Sequence, residues 1–584
     1  MNYHASVIIK KLIKKKYTNQ RQLAKDAELS LGLVNQTVNE LMDGGYLTEE
    51  LELTDKTYTE FHPRKPERAV ILAAGYGLRM VPIGSEIPKA LLEVKGEVLI
   101  ERQIRQLKEK GVKEIYVVVG YLKEMFDYLI DEFGVHLIYN KDYDTKNNLF
   151  TLALAAEHIK NAYIVPCDVY AFENPFEDLE FYSWYMMGKE EALGTGFKVS
   201  RSGVIKRVKE DQKGNRVLGI TYLNEEVGEQ IKVKILQMIE EDVWAHSFWE
   251  EALFMEESLS FLPKMVTVDQ VVEINSYMDL RAIDAESDHL NSSVLHYIAK
   301  ELNCTMEDIN HIYVMKKGMT NRSFQFSVRE KKYIMRLPGE GTEHLINRHG
   351  EQASYEAMKG WNISDKVVAL CPEKGYKITE FFENTRECNP ENWEEVSLCM
   401  GYLRDFHEKA LSVPHTFDLF GSILFYESLW TRKTLYKDYE KVKEAVFSLK
   451  SFIDSFDRKH VLSHIDAVPD NFLFTEEGIR LIDWEYAGMQ DPHVDIAMFA
   501  IYALYGKEDV DRLIRSYFNQ EPDQKIIIKI YAYIAICGLL WSNWCEYKRM
   551  LGVEFGEYSL KQYRYAKEYA NLVRKYLEKE GKHE

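Results

Sequence analysis

The sequence predicts a multidomain chain of mixed α/β and α+β class with a short helical module in front, and three observations carry that prediction. Its 584 residues exceed one domain at roughly 100 to 200 residues each, and 46% hydrophobic with 12% aromatic content supplies several cores. From residue 67 to about 285, β-rich runs alternate with amphipathic helical patterns, the mark of right-handed βαβ units and a mainly parallel sheet. From about 290 to 584, three closely spaced strands precede largely helical sequence, so a small antiparallel lobe leads a large helical one.

Composition narrows the function classes. A formal net charge of -19 argues against a general binder of nucleic acid or anionic membrane, because both ligands need a positive field. The seven cysteines are odd in number, scattered and without a CxxC pair, so neither a disulfide framework nor a zinc site is indicated, and a reducing cytoplasm is the expected compartment. The Met1 end lacks a signal peptide's apolar core. The longest apolar run, Ile530 to Trp541, is shorter than the 18 or so residues of a membrane span.

Residues 1–61 read as helices over Ala5 to Lys16, Asn19 to Ala27 and Leu31 to Asp43, with Thr18 and Ser30 as N-caps and Gly44-Gly45 stopping the third helix where a β-wing opens. This pattern resembles a winged helix-turn-helix. Residues 1 to 25 hold seven bases and no acid, whereas the helix Leu31 to Asp43 has no Lys or Arg and carries Glu40 and Asp43. DNA reading needs cations near that helix, so a dimerisation or regulatory role is favoured over DNA binding. His62 to Pro66 is expected to be a stiff linker.

In residues 67–285 the strands are Ala69 to Leu72, Glu114 to Val119, His136 to Tyr139 and Ala162 to Val165, and the helices Leu99 to Lys110, Lys123 to Phe133 and Leu149 to Ile159. After the first strand comes Leu72-Ala73-Ala74-Gly75-Tyr76-Gly77-Leu78-Arg79, then Pro88-Lys89-Ala90-Leu91. Gly75 and Gly77 let backbone N–H groups approach a triphosphate, while Arg79 and Lys89 offset charge growing on a leaving pyrophosphate. A bare GxG would be an ordinary βα turn; the spaced Arg79 and Lys89 make the catalytic reading the stronger one. With Val118 to Leu129, Asn147 to Leu152, Cys167 to Tyr170, Phe248 to Leu253 and Val272 to Leu280, the segment resembles the Rossmann-like sugar-phosphate nucleotidyltransferase superfamily, and within it the phosphocholine cytidylyltransferases. The resemblance implies Mg2+ held by Asp168 and Asn275, where relatives often carry aspartate, and nucleoside or phosphate contacts from Asn147 and Asn148. Trp184, Tyr185, Trp249 and Glu250 suit either a quaternary-ammonium box or ordinary core.

In residues 290–584, His464-Ile465-Asp466 and Asn471 stand in the spacing H-x-D-x-x-x-x-N, and Ile482-Asp483-Trp484-Glu485 follows. That places a base beside two metal ligands, the arrangement of phosphoryl transfer to a hydroxyl. With Lys316 to Val328, Ile334 to Glu351, Leu481 to Ala497 and Leu539 to Trp544, the segment resembles the choline kinase and aminoglycoside phosphotransferase superfamily, a two-lobed protein-kinase-like fold, and specifically bacterial choline kinases. The resemblance implies Asp466 as base, Asn471 and Asp483 as Mg2+ ligands, and Arg336 held by Glu351 at the phosphates. Thr320 and Asn321 fall in the phosphate-covering loop, and Glu380 and Phe381 at the adenine hinge. Trp541 and Trp544, three apart on a helix, share one face on which a trimethylammonium can rest, with Tyr558 as a third candidate.

Together the modules imply synthesis of CDP-choline from choline, ATP and CTP through phosphocholine, for decoration of a surface polymer. Ethanolamine or another amino alcohol, a sugar-1-phosphate nucleotidyltransferase fed by a sugar kinase, and a choline-responsive transcriptional regulator are the alternatives. Homodimerisation through the N-terminal domain stays open.

Overall fold

The computed structural model describes residues 3–61, 64–75, 77, 80–83, 87–200, 205–209, 211–254, 261–315, 321–339, 345–551, 553 and 555–580. The chain divides into two compact units, Met1–Ala299 and Lys300–Glu584. The first therefore contains both the N-terminal helices and the α/β segment, which the composition shifts had separated.

Three helices, Tyr3–Lys14, Gln20–Ala27 and Leu31–Asp43, pack around Ile8, Ile9, Leu23, Val34 and Val38. Ser30 caps the third helix as expected, its hydroxyl accepting from the Leu33 N–H. The second helix begins one residue later than expected: Asn19, not Thr18, is its cap, because the Asn19 side-chain oxygen reaches the Gln22 N–H at 2.9 Å. After Gly44-Gly45 the chain folds back through a single antiparallel bridge, Leu47 to Leu53, into a further helix, Asp55–Phe61, that periodicity did not reveal. His62 and Pro63 of the expected linker lie outside the described residues. Arg64 exchanges backbone hydrogen bonds with Glu180, so that part of the linker is pinned down.

The core of the first unit is a seven-stranded sheet in the order Leu262–Val266, Trp184–Leu193, Lys213–Leu223, Ala162–Pro166, Arg68–Ala73, Glu114–Val119, His136–Tyr139. Lys213–Leu223 alone among these runs against its neighbours, in keeping with a mainly parallel sheet. The expected helix Leu149 to Ile159 ends at Ala153 and resumes as a short turn, Ala156–His158, where His158 stacks on Tyr116. Right-handed connections in such a sheet bring the loops after Ala73 and Pro166 to one edge.

In the second unit, Ile309–Val314, Asn321–Val328, Lys331–Pro338, Tyr376–Glu380 and Val367–Cys371 form an all-antiparallel sheet in that order. A helical lobe follows, built on Gln524–Met550, a 27-residue helix whose length and hydropathy match a membrane span. Its apolar window is nonetheless 89% buried inside the lobe, the setting of a core helix. The neighbouring helix, Glu557–Glu580, approaches closely at Gly538, where a Cβ would stand 2.8 Å from the Gln562 carbonyl and 2.9 Å from the Tyr565 Cβ. Gly538→Leu should force the helices apart and cost about 1–3 kcal/mol, read as a lower Tm of the second unit, whereas an unchanged Tm would mean the contact is dispensable.

Candidate active sites

In the first unit the glycine turn, Pro88 to Leu91 and the end of strand Ala162–Pro166 converge. Gly77 adopts φ +61°, left-handed backbone that favours glycine, and a Cβ there would meet Lys89 at 3.5 Å. Arg79 lies outside the described residues. Leu72, Ala73 and Ala74 are buried at the strand end and shape the turn from below. The strand Val169–Ala171 pairs antiparallel with Val271–Glu273, and the Ile274 N–H donates to the Asp168 carbonyl, which brings Asp168 beside Glu273 and Asn275. Lys89 Nζ donates to Asp168 Oδ2 at 2.7 Å and to Asn275 Oδ1 at 3.2 Å, bridging the two ligands expected from sequence. A Ser276–Asp279 capping box fixes this turn, and Asp279 also accepts the Asn275 N–H. Burial and the neighbouring Asp168 push the Glu273 carboxyl above its ordinary range, with Asn275, Lys89 and Arg216 acting the other way.

Asn147 and Asn148 have structural work. The Asn147 amide donates to the His246 carbonyl and the Asn148 amide oxygen accepts from the Trp249 N–H, tying the helix Asn148–Ala153 to the 245–249 loop. The proposed aromatic box divides. Trp184 and Tyr185 are consecutive on a strand and so face opposite sides of the sheet, Trp184 in the core with Tyr163 and Met186, Tyr185 in the core with Trp249. Trp184 is thus separate from the other three. Tyr185 donates to Glu250 Oε1 at 3.0 Å beneath the Trp249 ring, while Glu250 Oε2 is buried without a partner. Burial pushes Glu250 up to about 7, with a backbone N–H and Tyr185 opposing.

In the second unit the sequence motifs meet in one groove. Arg336 grips Glu351 through two hydrogen bonds of 2.5 and 2.7 Å, the bidentate geometry a guanidinium gives a carboxylate. Burial opposes ionisation of Glu351, yet Arg336, Lys377 and Arg348 hold its carboxyl at about 2. Arg336 also lies 3.8 Å from Asp483 and 3.7 Å from Glu485. Arg348 joins Glu485 at 3.0 Å and Asn321 at 3.1 Å, and Asn321 donates to Glu485 at 2.8 Å, so the strand Asn321–Val328 is fastened to the Asp483 turn. Thr320 lies outside the described residues. Glu380 ends its strand and Phe381 follows, but the Phe381 N–H already donates to the Lys332 carbonyl.

The Asn471 amide donates to the Asp466 carbonyl at 2.8 Å and to its Oδ2 at 3.2 Å. Burial, then Asp483 and Glu485, push Asp466 up to about 8. Burial and Glu485 push Asp483 up to about 7, although 36% of its side chain remains open to the groove. Two residues beside these carboxylates have left-handed backbone without being glycine, Ile465 at φ +69° and Asp483 at φ +66°. For a β-branched residue this is a strained conformation. What holds it is Asp495, fully buried, whose carboxylate accepts the His464 and Ile465 N–H groups at 2.8 and 2.7 Å and contacts His407 at 2.9 Å. Burial keeps His464 near 4, so its neutral ring donates through Nε2 to the Ile482 carbonyl.

Trp541 and Trp544, 7% and 2% exposed, stand edge to face at 5.5 Å. Trp541 packs on Tyr486 at 5.6 Å, and Tyr486 and Tyr558 both feel the Asp466 charge, so Trp541 is on the groove's wall. Trp544 stands behind it against Phe555. Asp495, Arg348 and Tyr486 were missed by motif reading; each acts through residues more than 25 positions away.

A glycine turn beside strand-end carboxylates is the arrangement of a nucleotidyltransferase, and a carboxylate-bearing loop facing an Arg–Glu pair that of a phosphotransferase. Residues 69–175 match the family model of the MobA-like NTP transferase domain and residues 312–567 that of choline/ethanolamine kinase. A choline-phosphate cytidylyltransferase of Streptococcus pneumoniae is 33% identical over 221 residues, 37% of this chain and 96% of that protein. Protein LicA of Haemophilus influenzae is 26% identical over 255 residues, 42% of this chain and 96% of that protein. A 2-aminoethylphosphonate cytidylyltransferase of Lancefieldella rimae is 31% identical over 227 residues, 37% of this chain and 91% of that protein. The chain belongs, through its first unit, to the choline-phosphate cytidylyltransferase family, and its second unit carries a choline/ethanolamine kinase domain.

Asp495→Asn removes one of the acceptors that hold the strained loop. It should cost about 1.5–3 kcal/mol, the worth of a hydrogen bond to a charged group, measured by chemical denaturation; a loss under a few tenths would show that the loop holds itself.

Proposed function

We propose that this chain makes CDP-choline from choline in two reactions, one in each unit. The observation that carries the reading is the coexistence in one polypeptide of a kinase groove and a cytidylyltransferase groove whose substrates are consecutive. In the second unit Asp466 takes the proton of the choline hydroxyl as its oxygen attacks the γ-phosphorus of ATP, and ADP leaves. A base whose pKa lies near neutrality is well matched to that role. Arg336, oriented by Glu351, meets the phosphates, and Asn321 with Arg348 holds the covering strand in place. The faces of Trp541 and Tyr486, with Tyr558, receive the trimethylammonium group, and Trp544 supports Trp541 from behind. Glu380 and Phe381 border the adenine, with contacts that do not use the Phe381 N–H.

In the first unit a phosphocholine oxygen attacks the α-phosphorus of CTP and pyrophosphate departs. Lys89 and Arg79 offset charge on the phosphates, and the turn Leu72 to Gly77 offers backbone N–H groups. Asn147 and Asn148 act by positioning the 245–249 loop under the headgroup, where Tyr185, Trp249 and Glu250 lie; Trp184 is core. Both grooves have oxygen-only donor sets suited to a hard cation: Asp168 with Asn275 and Glu273, and Asn471 with Asp483. Bound Mg2+ would supply charge neutralisation and orientation of the triphosphate at each site. Residues 1–61 we read as a winged-helix module with a regulatory or dimerising role, and the cytoplasm, where ATP and CTP are at hand, as the compartment.

Asp168→Asn should halt product formation at phosphocholine, whereas Asp466→Asn should abolish phosphocholine formation yet convert added phosphocholine to CDP-choline. Mass spectrometry of the two reactions checks this, and CDP-choline from choline with either variant would refute the division of labour.

One observation favours an aminoethyl headgroup at the first site instead. Glu250 Oε2 is a buried acceptor without a donor, and a primary ammonium supplies the N–H that trimethylammonium lacks. Comparing phosphocholine with phosphoethanolamine and 2-aminoethylphosphonate as acceptors decides between the readings. Either cation is held better by ionised Glu250, so the acceptor KM should rise as pH falls from about 8 to about 6, and Glu250→Gln should flatten that profile; a wild-type KM independent of pH would remove Glu250 from the site.

A further inference from the structure

The N-terminal helix Tyr3–Lys14 meets the edge strand Leu262–Val266 across a cavity of about 170 Å³ that neither reaction uses. Lys10, Lys11 and Lys14 enter it from the helix and Lys264 from the strand, above the rings of Tyr182 and Trp184. At 3.6 residues per turn Lys10, Lys11 and Lys14 fall within an arc of about 100°, with Lys14 between the other two, so all three reach the same cavity. In a chain of net charge -19 this is a local reversal of sign: four cations line the cavity against one carboxylate, Glu177.

The carboxylates nearby are already committed. Glu180, buried, pairs with Lys10 at 2.8 Å and accepts the Tyr163 hydroxyl at 3.0 Å, while Glu177 pairs with Lys14. Lys264 is left over. Its ammonium sits 4.4 Å above the Trp184 ring and donates to the Pro175 carbonyl, and among the described residues no carboxylate closes on it as an ion pair. Burial lowers its pKa to about 8, with Glu180 and Glu177 raising it and Lys10 and Lys14 lowering it further. Lys11 likewise has no ion-pair partner among the described residues. Glu180 and Glu177 act on Lys264 only from a distance, and a half-buried cation with no carboxylate in contact is one that a bound anion stabilises.

We propose that this seam is a second anion site, built for a small phosphate-type ligand that Lys264 and Lys11 contact from opposite walls. An occupant would bridge the helix and the sheet and so fasten the N-terminal module to the α/β domain. Tyr182 and Trp184 line the cavity with their rings already capped by Lys10 at 5.0 Å and Lys264 at 4.4 Å, so recognition rests on the phosphate itself and the ligand is either free pyrophosphate or a phosphorylated small molecule. Because lysine N–H groups rather than a metal hold it, binding needs no divalent cation and weakens as salt screens the charges.

The test is calorimetric titration of the full chain, in EDTA, with pyrophosphate and separately with phosphocholine, beside amide hydrogen exchange of residues 3–14. At least one of the two should bind, slow exchange in the helix, and bind about tenfold more weakly to Lys11→Gln, the loss of one charged hydrogen bond. Lys264→Gln, provided its Tm shows it folded, should weaken binding at least as much. Cytidylyl transfer by Lys11→Gln should keep its wild-type rate, since Lys11 is outside the reacting groove. No binding of either probe, or binding and exchange that Lys11→Gln leaves unchanged, would overturn the proposal.

Discussion

Negative charge gathered where strands end, with too little positive charge beside it to cancel it, is the constraint on which both units depend. Asp466, Asp483 and Glu485 share one groove; Arg348 is taken up by Glu485, and Arg336, the cation beside Asp483, is already gripped by Glu351. Asp168 and Glu273 share another, with Lys89 spread between Asp168 and Asn275. Burying carboxylates costs several kcal/mol each unless cations or donors compensate, so such clusters persist where the surrounding fold enforces them. They are also what a polyphosphate and its accompanying cation require. Stability is given up locally to leave the site ready for charge that arrives with the substrate.

Two unrelated scaffolds meet this constraint by different means. The α/β unit relies on strand pairing: the ladder between Val169–Ala171 and Val271–Glu273 fixes how far Asp168 stands from Asn275. The kinase-like unit relies on a buried clamp. Asp495 takes two backbone N–H groups of the His464-Ile465 turn, and with them the left-handed backbone at Ile465 that aims Asp466 into the groove. A second network, Glu485 with Arg348 and Asn321, closes the sheet lobe over the same carboxylates. Each unit therefore holds its cluster of carboxylates on rigid elements.

Much of this was legible in the sequence because it is local. β-rich runs located four strands of the first sheet within a residue or so and three of the second, while Trp184–Leu193, Lys213–Leu223, Leu262–Val266, Val367–Cys371 and Tyr376–Glu380 were not read from the sequence. The fixed spacings of Asp466 with Asn471, and of Gly75 with Gly77, marked the turns of the candidate sites. Contacts that depend on distant segments were not legible. Asp495 acts 30 residues from Ile465, and Arg348 reaches Glu485 across 137 positions. Trp184 and Tyr185 stood together as candidates for either a box or core, and only the strand they lie on shows that they face opposite sides, with Trp184 in one core and Tyr185 in the other. The docking of Lys10 on Glu180 was equally invisible, since a basic helix offers no hint of the buried carboxylate it will meet.

The proposed activity is two reactions linked by one intermediate. The most direct measurement is a 31P NMR time course of the wild-type chain with choline, ATP, CTP and Mg2+. It predicts a phosphocholine resonance that rises and then decays into CDP-choline as pyrophosphate appears. Phosphocholine that accumulates without decay in the presence of CTP, or ATP left unconsumed when choline is added, would contradict it.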